Sequence, residues 1–234
     1  MNLIHAMILL VTFSTASVEC GSGSNTTNYM INSNNDFTSP LISAVSKKDL
    51  KLVAEILRSK PDMEVKDNKG RTALMIATYN QDNLIAEMLI KAGANVNAQD
   101  SMLNSPFLYA GASGNLTILK LCLANGANFD IYNRYGGTAL IPAAEKRHLE
   151  VVKVLSELPD YPIDHINNLG WTALLEAIIL GPKGKAQVAI VKILVEAGCD
   201  VNIEDKEGIT PLQHAKNRGM DEIVNILLEA NALN

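Results

Sequence analysis

The chain has 234 residues, 20 Lys and Arg against 25 Asp and Glu, and a formal net charge of −5. Its length suits one good-sized domain or two small ones, and 47% apolar residues suffice for a packed core. Basic residues scattered among more numerous acids argue against the clustered cationic face of a nucleic-acid binder.

In chain order, the first 46 residues contain no Lys or Arg. Residues 3–18 form an almost uncharged run with an apolar centre at residues 6–13. That is short of the roughly 20 apolar residues of a bilayer span, but it matches the apolar part of an export signal. Ser14, Thr15 and Ala16 then offer a cleavage site, while the positive character ahead of the run is limited to the amino terminus and His5. A buried N-terminal helix is the alternative. We expect residues 1–20 to be an export signal and residues 21–37 a flexible linker. The run, Cys20 and the following GSGSNTTN resemble a bacterial lipoprotein signal, which implies a lipidated Cys20 and a polar tether. Glu19 departs from that pattern, where a small residue is usual, and simple cleavage near Ala16 or Cys20 stays open.

From residue 67 onward a pattern recurs: DNKGRTALMIA (67–77), NRYGGTALIPA (133–143), NNLGWTALLEA (167–177) and DKEGITPLQHA (205–215), with a degenerate DSMLNSPFLYA at 100–110. The spacings are 33, 33, 34 and 38 residues, and a copy without the opening turn starts at Ser39. Asp or Asn bonds its own backbone in a tight turn, and Gly takes the left-handed conformation. Thr or Ser caps the first helix, and small residues such as Ala77, Ala110, Ala143, Ala177 and Ala215 allow close helix packing. A second helix carries an apolar stripe, such as Leu84, Ile85, Met88 and Leu89. Gly93, Gly126 and Gly198 end that helix.

This resembles the ankyrin repeat, a bacterial group of it by the wording of several copies, over roughly residues 38 to 234. The resemblance implies an all-α solenoid of helix-turn-helix units joined by β-hairpin turns. Its parts are an N-cap (38–66), repeats 67–99, 100–132, 133–166 and 167–204, and a C-cap (205–234). In that C-cap Ile223, Ile226, Leu227 and Leu228 are expected to fold inward, with Asp221, Glu222 and Glu229 outside. The histidine usual after T-P-L in the family is replaced by Met75, Leu108, Ile141, Leu175 and Gln213, which makes the inner layer more apolar. Leu103 and Asn104 replace the turn Gly and its neighbour, so an irregular hairpin is expected there.

The stretch LGPKGKAQVAIVKIL (180–194) has the look of a phosphate loop, because Gly-rich backbone at a helix start favours an anion. Such a loop wants a preceding strand and Ser or Thr after the Lys. Here a helix precedes and Ala186 follows Lys185. Residues 180–187 are instead expected to be an inserted loop between the two helices of the fourth repeat, about five residues longer than usual.

No catalytic constellation is legible. His148 stands at a helix-to-helix turn, His165 before a hairpin and His214 on a first helix, with no metal-ligand spacing between them, and no Ser, His, Asp set comes with a nucleophile elbow. Cys122 lies in an apolar stripe and Cys199 takes a packing position. Two repeats at about 10 Å per helix layer put them roughly 20 Å apart, beyond the ~7 Å limit between Cα atoms of a disulfide. We expect no enzyme, no metal and no cofactor. The resemblance implies a protein partner on a concave face of hairpin tips and first helices, and a monomer when free. Positions the family varies include Arg71, Tyr79, Met102, Tyr132, Arg134, Tyr135, Leu169 and Trp171, several of them types enriched at binding hot spots. The expectation is a partner-binding protein of the periplasm or a membrane-anchored lipoprotein facing it. Two versions are an immunity protein that neutralises a secreted toxin and a stabiliser of an envelope enzyme. Without a signal, a cytosolic or host-directed adaptor follows.

Overall fold

A computed structural model describes residues 30–31, 37–180 and 183–233. The expected signal, Cys20 and most of the expected linker lie outside these residues, as do Gly181 and Pro182. Two short strands, β1 (Met30–Ile31) and β2 (Phe37–Thr38), pair antiparallel with Met30 opposite Thr38. Among the described residues twelve helices follow in six consecutive pairs. They are α1 (Pro40–Ser46) and α2 (Leu50–Arg58), α3 (Ala73–Tyr79) and α4 (Asn83–Lys91), and α5 (Pro106–Ser113) and α6 (Leu116–Ala124). Then come α7 (Leu140–Glu145) and α8 (Leu149–Ser156), α9 (Ala173–Ile179) and α10 (Lys185–Glu196), and α11 (Pro211–Asn217) and α12 (Asp221–Glu229).

Helices this short are marginal in water on their own; stacking holds them. The first helices of successive pairs contact one another in order, and so do the second helices, giving two layers. Ala77, Ala110, Ala143, Ala177 and Ala215 are all buried in the first layer. α5 comes close to the start of α7 at Gly111, where a Cβ would lie 2.7 Å from Ala139 Cβ and 2.9 Å from the Ala139 carbonyl oxygen. Between the layers, Ile85 with Leu89, Ile118 with Leu119, Val152 with Leu155, and Ile190 with Leu194 are fully buried, each contributing about 1.5–3 kcal/mol. Two residues expected in these stripes face solvent instead: Leu84 is 54% exposed and Leu228 45%. Ala86 takes a buried place on α4, because three adjacent positions of a helix cannot all face one layer. Met75, Leu108, Ile141 and Leu175 are buried. Gln213 instead closes a capping box with Thr210.

Ser39, Thr72, Ser105, Thr172 and Thr210 each accept the backbone N–H three residues on at 3.2 Å. Thr138 does not, which corrects the expectation of a Thr cap in every copy. Pro142 stands where Ile76 donates to the Thr72 carbonyl in the preceding copy of the TALxxA motif, and proline has no N–H. The first turn of α7 opens, and the Leu140 N–H finds the hydroxyl of buried Tyr161 at 3.2 Å. Burial pushes that phenol up to about 12.

The insertion is also placed differently from expectation. α10 has 12 residues where α4 and α6 have 9, so most of the extra length extends a helix rather than bulging a loop. Gln187, expected in the loop, is buried inside α10 and donates to the carbonyls of Ala177 at 2.7 Å and Ile178 at 3.3 Å. It satisfies carbonyls at the end of α9 that a helix C-terminus leaves open.

Candidate protein-binding face

Each copy of the repeat opens on a turn built by one side chain. Oδ1 of Asp67, Asp100, Asn133, Asn167 and Asp205 accepts the backbone N–H groups two and four residues ahead, all between 2.8 and 3.1 Å. These segments are turns closed by two backbone bonds rather than paired strands; in the first, Asp67 donates to Arg71 and Gly70 to Asp67. The turn at Asp100 was expected to be irregular and is not. Leu103 donates to the Asp100 carbonyl at 3.0 Å and holds φ 57°, in the place of Gly70 and Gly136 at 70° and 69°. A leucine in the left-handed region is strained, and Asp100 holds it there. Leu103→Gly is therefore expected to raise stability by about 1 kcal/mol, read as a higher urea midpoint at unchanged slope.

Successive tips are tied into a row. Ser101 N–H donates to the Lys69 carbonyl at 3.0 Å, and Asn168 N–H to the Tyr135 carbonyl at 2.8 Å. Gln99 Nε2 donates to the Tyr132 carbonyl at 2.8 Å and Lys206 Nζ to that of Asn168 at 2.6 Å.

Of the eight residues singled out from sequence, three have side chains engaged within the fold and a fourth, Trp171, is half-buried. Arg71 grips Asp67 Oδ2 through Nε at 2.7 Å and Nη2 at 2.6 Å. Partial burial raises the Asp67 carboxyl, but Arg71 and the turn N–H groups outweigh it and hold the group below the usual carboxylate range. Tyr79 donates to Asp100 Oδ2 at 2.6 Å, accepts from Asn104 Nδ2 at 3.0 Å, and lies against the Tyr109 ring at 4.3 Å. Burial, then the Asp100 bond, pushes its phenol up to about 12. Tyr132 stacks on His165 at 4.3 Å, and His165 Nε2 donates to the Gly136 carbonyl at 2.6 Å. Trp171 is half-buried, with its backbone N–H and C=O both inside the Asn167 turn.

The other four lie open on adjacent tips. Met102 is 45% exposed, Tyr135 52% and Leu169 49%, and Arg134 is exposed between them. The Arg134 guanidinium sits 4.7 Å from the Tyr135 ring centroid, Nη2 donates to the Tyr135 hydroxyl at 2.7 Å, and Nη1 approaches Met102 Sδ at 3.4 Å. Sequence reasoning missed two apolar neighbours, Leu103 and Ile166, both exposed; the signal was apolar residues at turn positions. It also missed Glu176, legible as one carboxylate inside the apolar TALLEAII. Glu176 is 6% exposed, and its Oε1 accepts from Asn167 Nδ2 at 2.8 Å. Burial, then Glu145, pushes its carboxyl up to about 7.

Cys122 and Cys199 are free, buried thiols, both pushed up to about 12 by burial first. Among the described residues no group of three or more His, Cys, Asp or Glu is placed to hold a metal ion. Lys183 and Lys185 border a cavity of about 300 Å³, but Asp221 and Glu222 line it too, which opposes a phosphate.

The family model for ankyrin repeats (three copies) matches residues 15–100 and 107–205. The gap spans the turn that carries Leu103. The chain is 38% identical over 189 residues to the ankyrin repeat protein YahD of Escherichia coli (strain K12), which covers 81% of this chain and 94% of that one. It is 31% identical over 134 residues to FPV115 of Fowlpox virus (strain NVSL), covering 57% of this chain and 22% of that protein. Among solved structures, an ankyrin repeat domain from Acinetobacter baumannii AYE superposes with a TM-score of 0.81 at 50% identity, covering 83% of this chain and 98% of that one. The ankyrin repeat protein EF0377 superposes with a TM-score of 0.79 at 42% identity, covering 81% and 96%. The recurring turn, the two helix layers and these matches agree: the chain belongs to the ankyrin repeat family, whose repeats are protein–protein interaction modules.

Proposed function

We propose that the chain is a non-catalytic module that docks a protein partner along its turn tips and the adjoining concave face, as a monomer at the bacterial cell envelope. The observation that carries the reading is the exposed strip of Met102, Arg134, Tyr135 and Leu169 on tips bonded to one another. Arg and Tyr are hot-spot types, and tips locked by backbone bonds lose little freedom on binding. The non-catalytic reading is supported by His165 and His214 being held within the fold, His165 by the Gly136 carbonyl and His214 by Asp205 Oδ2, each at 2.6 Å, and by the burial of the Cys122 and Cys199 thiols. The envelope reading is supported by the apolar run at residues 3–18, and a lipid anchor by the position of Cys20 after it. An array of this kind would act by covering a surface of its partner. The concrete version is an immunity protein that blocks a secreted toxin; the alternative is a stabiliser of a periplasmic enzyme.

Capture from a native envelope fraction tests this, with wild type beside Tyr135→Ala and Leu169→Ala. One stoichiometric protein, held by wild type and lost from both variants, is expected. Recovery of a chain that still carries Met1, in a soluble cytosolic fraction, would overturn the envelope reading. No stoichiometric partner from any fraction would overturn the binding reading.

A further inference from the structure

Across the turns at residues 67–71, 100–104, 133–137 and 167–171 the only carboxylates are Asp67 and Asp100. Both are turned inward, Asp67 onto Arg71 and Asp100 onto Tyr79 and its own backbone. The exposed charges of these four tips are cations, Lys69 and Arg134. A chain of net charge −5 thus presents a strip that is apolar and cationic.

Arg134 is prepared for one kind of group. Its guanidinium contacts the Tyr135 ring, donates through Nη2 to the Tyr135 hydroxyl, and reaches Met102 Sδ through Nη1. Five N–H donors in a planar fork exceed what these neighbours take. A fork already held in place loses little freedom on gripping a carboxylate, and that grip is bidentate and charge-assisted.

We propose that the partner offers this strip a segment pairing an acidic side chain with apolar ones, the carboxylate seated on Arg134 and the apolar groups on Met102, Tyr135 and Leu169. The proposal rests on the binding-module reading and names the chemistry of its partner. A basic segment would be repelled here and drawn to the acidic remainder of the surface, so the strip also selects against the wrong partner.

The test uses the full chain, immobilised, and a phage-displayed library of random 15-residue peptides selected at low ionic strength. Selected peptides are expected to join Asp or Glu to Leu, Phe or Trp. A synthetic selected peptide should lose about tenfold or more in affinity to Arg134→Ala, since such a pair is worth about 1.5–3 kcal/mol. Arg134→Lys should recover only part of that, because a lysine cannot grip both oxygens. Affinity should also fall several-fold between about 50 and 300 mM salt. Arg134 is exposed, so the far-ultraviolet dichroism of both variants should match wild type. Selected peptides without acids, or peptides that bind Arg134→Ala as well as wild type, would overturn this proposal while leaving the module reading intact. No selected peptide together with no captured native partner would overturn both.

Discussion

Asp100→Ala lowers the stability of the array by about 3 kcal/mol, whereas Asp100→Asn costs about 1 kcal/mol or less. Oδ1 of Asp100 takes the N–H groups of Met102 and Asn104 at 2.8 and 3.0 Å, and Oδ2 takes the Tyr79 hydroxyl at 2.6 Å. Alanine leaves three donors without an acceptor and frees Leu103 from a conformation it does not favour. Hydrogen bonds to a charged acceptor are worth about 1.5–3 kcal/mol each and do not add, and water reaches part of the exposed tip. Asparagine keeps the Oδ1 acceptor, as Asn133 and Asn167 do in their own turns. Urea unfolding followed by Trp171 fluorescence and dichroism reads both values. Equal effects from alanine and asparagine would show that the side chain does not hold the turn.

Glu176→Gln should stabilise the protein at pH 8 and leave it nearly unchanged at pH 4. The folded carboxyl titrates at about 7 against an ordinary 4.5, so the folded state binds its proton more tightly. The stability this group contributes is full below about 4.5 and is lost as pH rises through about 7. A raised pKa of this size corresponds to about 3 kcal/mol at the limit, and relaxation of the site reduces it to about 1–2 kcal/mol. Glutamine retains an oxygen for Asn167 Nδ2 and carries no charge to bury. Asp164, raised by burial, slopes the same way, whereas Asp67 and Asp205 are held below the usual range and lose their contribution only as pH falls toward and below 3.8. Burial, then Lys146, holds His148 below its ordinary value, so His148 loses its contribution below about 6.5. The difference between Glu176→Gln and wild type, followed from pH 4 to 8, isolates the one group. A difference that does not grow with pH contradicts the assignment.

What the sequence showed and hid follows from the range of the interactions. The turns, the caps at Thr72, Thr172 and Thr210, and the alanines of the first layer are set by residues within a few positions, and they were legible. The open start of α7 was not, because it joins Pro142 to a tyrosine hydroxyl from Tyr161, 21 residues beyond Leu140. Leu103 was legible as an oddity and misjudged as a broken turn, because the acid that holds it is itself held by Tyr79 from the preceding copy. Spacing marked the fourth repeat as the one with extra residues. Spacing alone could not show that Gln187 would satisfy carbonyls of α9 and let the extra residues continue as helix. In the candidate site, family position named eight residues without ranking them. Arg71, Tyr79 and Tyr132 have their bonds or ring contacts inside the fold, and only the geometry separates them from Met102, Arg134, Tyr135 and Leu169, which stand in solvent.

A partner seated on these tips is tested by placing a photo-crosslinking amino acid at Asn168, exposed on the tip beside Leu169, in one variant and at Glu150, exposed on the second-helix layer, in another, both irradiated in native cells. Arg134, Tyr135 and Leu169 stay intact in each. One discrete covalent adduct is expected from position 168 and none from position 150. An adduct from position 150 alone, or none from either, would show that no partner sits on the tips.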